Sequence, residues 1–238
     1  MKKSLAIFSL TSCEGCQFEM LNHYETFNGL LKYFEIKNFR LGQENNFDEN
    51  FDIAIIEGSA DGEEQIKFLK KIRKQSKVIV AIGACAHLGG IQSERNSLPQ
   101  GIFHKKPTKI VPAVIKTEYI IPGCPINHAE LYHCLLDIYW GKQFFLPDLA
   151  VCFECRVNEN ECLIKSGKPC LGPITRSGCN SVCVNAGEAC LGCRGAKPEP
   201  NIEKLKKILE PMIGEKETEN IMTIYGDLTN EIDPSAKK

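Results

Sequence analysis

Residues 77–85 read KVIVAIGAC: an unbroken apolar run, Val78 to Ile82, ends at Gly83 and is followed at once by Cys85. The pattern recurs. SLAIFSLTSCEGC (4–16) runs into Cys13 and Cys16, EYIIPGC (118–124) runs into Gly123 and Cys124, and DIAIIE (52–57) runs into Gly58-Ser59. Short continuous apolar runs bounded by turn residues are strands buried on both faces, as in parallel sheets. FEIKNFR (34–40) alternates like a further strand. Between these runs the apolar spacing changes to helical: one helix is expected over Phe18–Leu31, a charged one over Glu63–Gln75, and another over 127–140. Strands alternating with helices predict an α/β fold with a doubly wound parallel sheet. The interval 92–112 has no clear periodicity and reads as a long loop.

Composition narrows the function. With 29 basic and 30 acidic residues the formal charge is −1, which gives no electrostatic footprint for nucleic acid. No apolar stretch approaches the ~20 residues of a membrane span. MKKSLAIFSL turns polar too early for a signal peptide, so a cytoplasmic protein is expected.

Cysteine is the abnormal quantity. There are 13, an odd number, and without an export signal a disulfide scaffold is disfavoured and metal favoured. In an open parallel sheet, ligands gather outside the carboxyl ends of the strands. Cys13, Cys16, Cys85 and Cys124 all follow strands and should therefore converge at one sheet edge. Four thiolates there match a [4Fe–4S] cluster, although a zinc site with four cysteine ligands uses the same residue type. Gly15, Gly83 and Gly123 lie beside them, where bare backbone can approach a bulky group. Cys134 shares a helical stripe with Leu131, Leu135 and Ile138 and reads as a buried thiol.

After Leu146-Pro147 the character changes. Eight cysteines crowd into 152–193, spaced Cys152-x2-Cys155-x6-Cys162-x7-Cys170 and Cys179-x3-Cys183-x6-Cys190-x2-Cys193. Such a segment has too little apolar surface to order itself, and bound metal would supply the ordering. Two four-ligand sites are the natural division. No histidine occurs after His133, so only all-cysteine zinc or iron–sulfur chemistry fits, and the even spacing suits two [4Fe–4S] clusters better. Which cysteine serves which site stays open, since neighbouring clusters can exchange a ligand. NIEKLKKILEPMIG (201–214) reads as an amphipathic helix with Asn201 as N-cap, and the last twenty residues as a loosely held polar tail.

SLTSCEGCQFEML, IIEGSA, AIGACAHLGGI and IPGCPIN resemble the N-terminal half of [NiFe]-hydrogenase small subunits. The stretch from Cys152 to Gly195 resembles the three-cluster type of cytosolic hydrogenases, including the F420-non-reducing and sulfhydrogenase small subunits. The resemblance implies a flavodoxin-like domain (1–146) with a proximal [4Fe–4S] cluster on Cys13, Cys16, Cys85 and Cys124. It implies a small cysteine-rich iron–sulfur domain (147–196), then a C-terminal helix and tail (197–238). Cys152, Cys155, Cys162 and Cys170 would hold a distal cluster, and Cys179, Cys183, Cys190 and Cys193 a medial one. Implied partners are a hydrogenase large subunit carrying the nickel–iron centre and a further iron–sulfur or flavin subunit. Many relatives begin the distal set with histidine where this chain has Cys152. The respiratory quinone-reductase relative has adjacent cysteines at the first motif and no cysteine-rich tail, so CxxC at Cys13 and Cys16 favours the hydrogenase branch. A nickel-free hydrogenase relative and a zinc-stabilised partner-binding protein are the alternatives.

Other residues near these motifs have plainer readings. Glu14, Glu19, Glu25 and Glu57 lie near the first motif, where capping or solvation outweighs a proton relay. His87 and His128 follow Cys85 and Cys124 and read as ordinary core or surface histidines rather than donors to cluster sulfur. Gly58-Ser59 lacks the surroundings of a phosphate loop, which argues against a nucleotide site.

Overall fold

The computed structural model describes residues 1–96, 108–226 and 228. Its centre is a five-stranded sheet of β1 (Lys3–Ser9), β2 (Phe34–Phe39), β3 (Phe51–Glu57), β5 (Ser76–Ile82) and β7 (Tyr119–Ile121). The strand order is β2-β1-β3-β5-β7, with every neighbouring pair parallel. This is the flavodoxin-like doubly wound order, with its switch point between β1 and β3. A minor antiparallel pair, β4 (Ala60–Asp61) and β6 (Thr108–Lys109), stands apart from it.

Both faces of the sheet are covered, which explains the unbroken apolar runs. Leu5, Ile7, Ile53, Ile55, Val80 and Ile82 point to one face. They pack there against α1 (Gly15–Asn22), α2 (Tyr24–Leu30) and α6 (His128–Tyr139) through Met20, Leu30, Leu131 and Leu135. The alternate residues Ala6, Phe8, Ala54, Ile56, Ile79 and Ala81 meet Leu69 and Ile72 of α3 (Glu63–Gln75). On that face they also meet Ala86 of α4 (Gly83–His87) and Val111 of α5 (Val111–Val114). Successive side chains of a strand point to opposite faces, so every position must be apolar.

Beyond α6 regular structure is sparse: α7 (Val151–Val157), α8 (Val182–Asn185), α9 (Ile202–Ile213) and α10 (Glu215–Thr223). Asn201 caps α9 by accepting the Lys204 N–H at 3.1 Å, as its sequence position predicts. A third core joins Leu171 and Ile174 of the cysteine-rich stretch to Leu205 and Leu209 of α9 and to Ile221 and Met222 of α10, together with Leu88.

Three expectations are corrected. The helix over Phe18–Leu31 is two helices, because His23 leaves helical geometry (φ −94, ψ 59) between them. The 92–112 interval contains the end of a 3-10 helix (Gly90–Asn96), β6 and α5; residues 97–107 of it lie outside the described residues. The tail is helical through Thr223, since Ile221 and Met222 are buried against α9; residues 227 and 229–238 lie outside the described residues.

One side chain joins the cysteine-rich stretch to the sheet. Arg194 is 1% exposed, and its Nη2 donates to both carboxylate oxygens of Glu130 on α6 at 2.8 and 2.9 Å. Nη1 donates to the Pro122 carbonyl just past β7 at 3.0 Å, and Nε to the Ser177 carbonyl at 2.9 Å. Burial raises the Glu130 carboxyl above its usual range, and Arg194 opposes that rise. Removing one partner of a buried pair strands the other charge, so Arg194→Ala is expected to cost about 3–5 kcal/mol. The double variant Arg194→Met/Glu130→Met should recover most of that loss. Anaerobic urea denaturation of the two variants checks this; equal midpoints would show that the pair itself does not matter.

Candidate metal centres

The carboxyl edge of the sheet brings four thiols together. The loop leaving β1 bridges at Thr11 to Ser59, after β3. Gly58 permits this approach: it has φ +95, and a Cβ there would sit 2.8 Å from the Thr11 carbonyl. Cys13 and Cys16 then flank the start of α1. The α1 N-terminus is capped from β3, because buried Glu57 accepts the Cys16 N–H at 3.1 Å, the Gln17 N–H at 3.3 Å and the Gln17 side-chain amide at 2.8 Å. Of the four acids near the first motif, Glu57 is thus the helix cap, an anion at a helix N-terminus.

Cys85 lies on α4 immediately after β5, and Cys124 immediately after β7. The Ala84 N–H donates to the Gly123 carbonyl at 2.8 Å and joins the two loops. Glycine makes room for sulfur at two points. A Cβ on Gly83 (φ +81) would lie 2.6 Å from Cys16 Sγ, and one on Gly90 (φ +63) 2.6 Å from Cys85 Sγ.

Burial pushes the Cys85 thiol up to about 12, and the Cys124, Cys13 and Glu57 charges add to the effect. Cys16 is raised by burial and then by Glu57, with Cys124 and Cys85 contributing; Cys124 is raised by burial and then by Cys13. Four thiolates sharing one site repel one another, and a bound metal group both neutralises and deprotonates them. The donor set and the glycine-made room fit a [4Fe–4S] cluster. Cys13 and Cys124 are exposed while Cys16 is buried, so the group opens outward on one side.

The eight later cysteines sort into two sets. Cys152 is pushed up to about 11 by burial and then by Cys170, Cys155 and Cys162. Gly172 packs between two of these thiols: its Cβ would stand 3.5 Å from both Cys152 Sγ and Cys170 Sγ. Cys179, Cys183, Cys190 and Cys193 line one cavity of about 410 Å³. Cys193 is pushed up to about 11 by burial, against a backbone hydrogen bond from Cys124 that lowers it, with the charges of Cys179, Cys124 and Cys183 adding to the rise.

The sets adjoin in a definite order. Cys124 of the sheet edge also lines the cavity of the 179–193 set. At the other end the Leu171 N–H donates to the Cys190 carbonyl at 2.8 Å, and Cys170 and Cys190 share a small buried cluster. Cys134 belongs to no set: it is fully buried on α6 among Leu131, Leu135 and Ile138.

Sequence patterns did not disclose three groups around these thiols. Glu154 of α7 accepts the Gly178 N–H at 2.8 Å and the Ser181 N–H at 3.2 Å, 3.8 Å from Cys179 Sγ. Tyr225 lines the cavity, its hydroxyl pushed up to about 12 by burial and then by Cys124. Arg194 follows Cys193 directly, and that adjacency was its only visible signal. Of the histidines, His87 is buried in α4, whereas His128 stacks on His23. Ser59 donates to the Gln92 side chain at 3.0 Å.

A family model described as NADH ubiquinone oxidoreductase, 20 Kd subunit, matches residues 13–138. The sulfhydrogenase 2 subunit delta of Pyrococcus furiosus is 32% identical over 224 residues, covering 90% of this chain and 94% of that protein. A subunit of the vhu F420-non-reducing hydrogenase of Methanococcus voltae is 28% identical over 240 residues, covering 83% of this chain and 84% of that protein. Among solved structures, the [NiFeSe] hydrogenase of Desulfovibrio vulgaris Hildenborough shares the fold, with a TM-score of 0.59 at 17% identity over 84% of this chain and 95% of that one. No helix among the described residues is long and apolar enough to cross a membrane. The chain therefore belongs to the NADH ubiquinone oxidoreductase 20 kDa subunit family, as a cysteine-rich subunit of the hydrogenase small-subunit type.

Proposed function

We propose that this chain is the electron-transfer small subunit of a cytoplasmic [NiFe]-hydrogenase complex and carries three [4Fe–4S] clusters. The observation that supports this reading is that the four sheet-edge thiols Cys13, Cys16, Cys85 and Cys124 gather at one place and the eight later cysteines lie close to one another beyond them, with Cys134 left in the core. Cys13, Cys16, Cys85 and Cys124 would hold the proximal cluster, and Cys179, Cys183, Cys190 and Cys193 the medial one. Cys152, Cys155, Cys162 and Cys170 would hold the distal one. When bound, such clusters supply one-electron exchange at potentials set by charge, hydrogen bonding and exposure.

The residues of this chain contribute position and environment. Glu57 fixes the CxxC turn through the Cys16 N–H, and Glu154 places a carboxylate beside Cys179. That negative charge disfavours the reduced state of a neighbouring cluster. The exposed Cys13 and Cys124, with exposed Phe18 and Tyr24 on the helices after Cys16, suit docking of a large subunit carrying the nickel–iron centre. Cys152, Cys155, Cys162 and Cys170 do not line the cavity that Cys124 shares with Cys179, Cys183, Cys190 and Cys193, which suits them to deliver electrons to a further iron–sulfur or flavin subunit. We assign residues 1–146 to the flavodoxin-like domain, 147–196 to the cysteine-rich domain and 197–238 to a C-terminal extension. The two sheet-face cores support the first boundary, and the third core makes the extension a support for the second domain.

Anaerobically purified chain should contain about twelve irons and twelve sulfides, the sum of three four-iron clusters. Cys85→Ala or Cys124→Ala should each lose about four irons and abolish H₂-driven dye reduction by the complex, whereas Cys134→Ala should lose none. Two or three zincs in place of iron would replace the electron-transfer reading with a structural one.

Gly83→Ala offers a steric check on the proximal set. Its methyl would meet Cys16 Sγ at 2.6 Å in a backbone conformation that alanine resists, so the same four irons should be lost although every cysteine is retained. Full iron content in this variant would show that the contact between Gly83 and Cys16 is not what holds the cluster site in place.

A further inference from the structure

The turn that follows α10, Ile224 to Gly226, is held from two sides. The Gly90 N–H donates to the Tyr225 carbonyl at 2.9 Å, and Gly226 (φ +118) sits where a Cβ would collide with the Leu88 carbonyl. Leu88 and Gly90 follow Cys85, and Gly90 packs against the Cys85 sulfur. On the other side Leu228 packs on Gly192, between Cys190 and Cys193, where a Cβ would stand 2.9 Å from Leu228 Cδ1. Tyr225 is thus fixed between the loop of Cys85 and the loop of Cys190 and Cys193.

Three hydroxyl side chains line the cavity that contains Cys124, Cys179, Cys183, Cys190 and Cys193. Thr175 donates to the Leu171 carbonyl at 2.8 Å, and Ser181 donates to the Asn185 side chain at 2.9 Å. The Tyr225 hydroxyl has no hydrogen-bond partner among the described residues. Its surroundings are thiols: burial, and then the charges of Cys124, Cys193, Cys183 and Cys190, push it up to about 12. A phenol keeps its proton at neutral pH in any case, so it meets these sulfurs as a donor.

We propose that the Tyr225 hydroxyl donates a hydrogen bond to sulfur of the iron–sulfur cluster held by Cys179, Cys183, Cys190 and Cys193, and raises the reduction potential of that cluster. The proposal rests on the iron–sulfur reading above. A hydrogen bond to cluster sulfur stabilises the more negative, reduced state. Tyr225 therefore acts opposite in sign to Glu154, whose carboxylate stands 3.8 Å from Cys179 Sγ. The C-terminal extension gains a second task in this way, since α9 and α10 deliver the phenol to the thiols as well as covering Leu171 and Ile174.

The test is an EPR-monitored redox titration of the anaerobically purified full chain, wild type and Tyr225→Phe, with iron counted in both. This variant deletes the hydroxyl alone and keeps the backbone bond to Gly90. Iron should be equal, and one reduction wave should move to lower potential, with about tenfold less of that cluster reduced at a fixed potential below its midpoint, or about 59 mV. In D₂O, pulsed EPR of the reduced wild type should show a deuteron coupling that Tyr225→Phe lacks. Equal iron with every wave unmoved would overturn the role of Tyr225 and leave the clusters standing. A moved wave with the deuteron coupling intact, or iron lost from Tyr225→Phe, would overturn it too, by making the residue structural. Wild type containing zinc and no iron would overturn the cluster reading, and this proposal with it.

Discussion

Thiols gathered in a low-dielectric pocket resist ionising together, and much of this structure is arranged around that constraint. Cys85 shows it most directly: burial raises its thiol first, and the neighbouring cysteines and Glu57 raise it further. A site of this kind is stable in its charged form only with a cation inside it. The protein brings the four sheet-edge thiols together through its sheet and the bonds around it. These are the carboxyl ends of β1, β5 and β7, the Glu57 cap on α1, and the Ala84–Gly123 hydrogen bond. The sheet-edge set is thus positioned by a sheet whose two faces are both packed against apolar cores.

The cysteine-rich stretch is organised differently. Its apolar residues are few, and Leu171 and Ile174 share a core with α9, α10 and Leu88. Its attachment to the sheet is polar: Arg194 spans Glu130, Pro122 and Ser177, and the Asn127 side chain donates to the Gly178 carbonyl at 2.7 Å. Polar bridges of this kind fix register without adding much to a hydrophobic core, which suits a segment whose ordering would come from bound metal.

Legibility in the sequence follows from how each element is stabilised. The parallel strands were readable because burial on both faces demands continuous apolar runs, and Asn201 was readable because an N-cap is a local chemical requirement. The sheet-edge convergence of Cys13, Cys16, Cys85 and Cys124 follows from strand topology alone. The break at His23 was not readable, since the apolar spacing continues through it and the ring that stacks on His23 comes from α6, distant in the chain. Arg194 was hidden for a similar reason: its partners are carbonyls and a carboxylate distant in the chain. α10 looked like polar tail because only one face of it is buried.

The spatial order of the thiol sets differs from their order in the chain. The 179–193 set shares its cavity with Cys124, while the 152–170 set meets it at Cys170 and Cys190. The chain therefore leaves the sheet, forms the outer set first, and returns to form the inner one. The contacts of the segment beyond Cys193 accompany that return. Arg194 must reach Glu130 on α6, and Lys197 N–H pairs with the Ile174 carbonyl at 2.8 Å before α9 folds over Leu171. Had the sets kept chain order, this segment would start at the outer end, away from the α6 surface to which it is tied. The closing helices thus pack on the same side of the cysteine-rich stretch as Leu171 and Ile174, and Arg194 ties it back to α6.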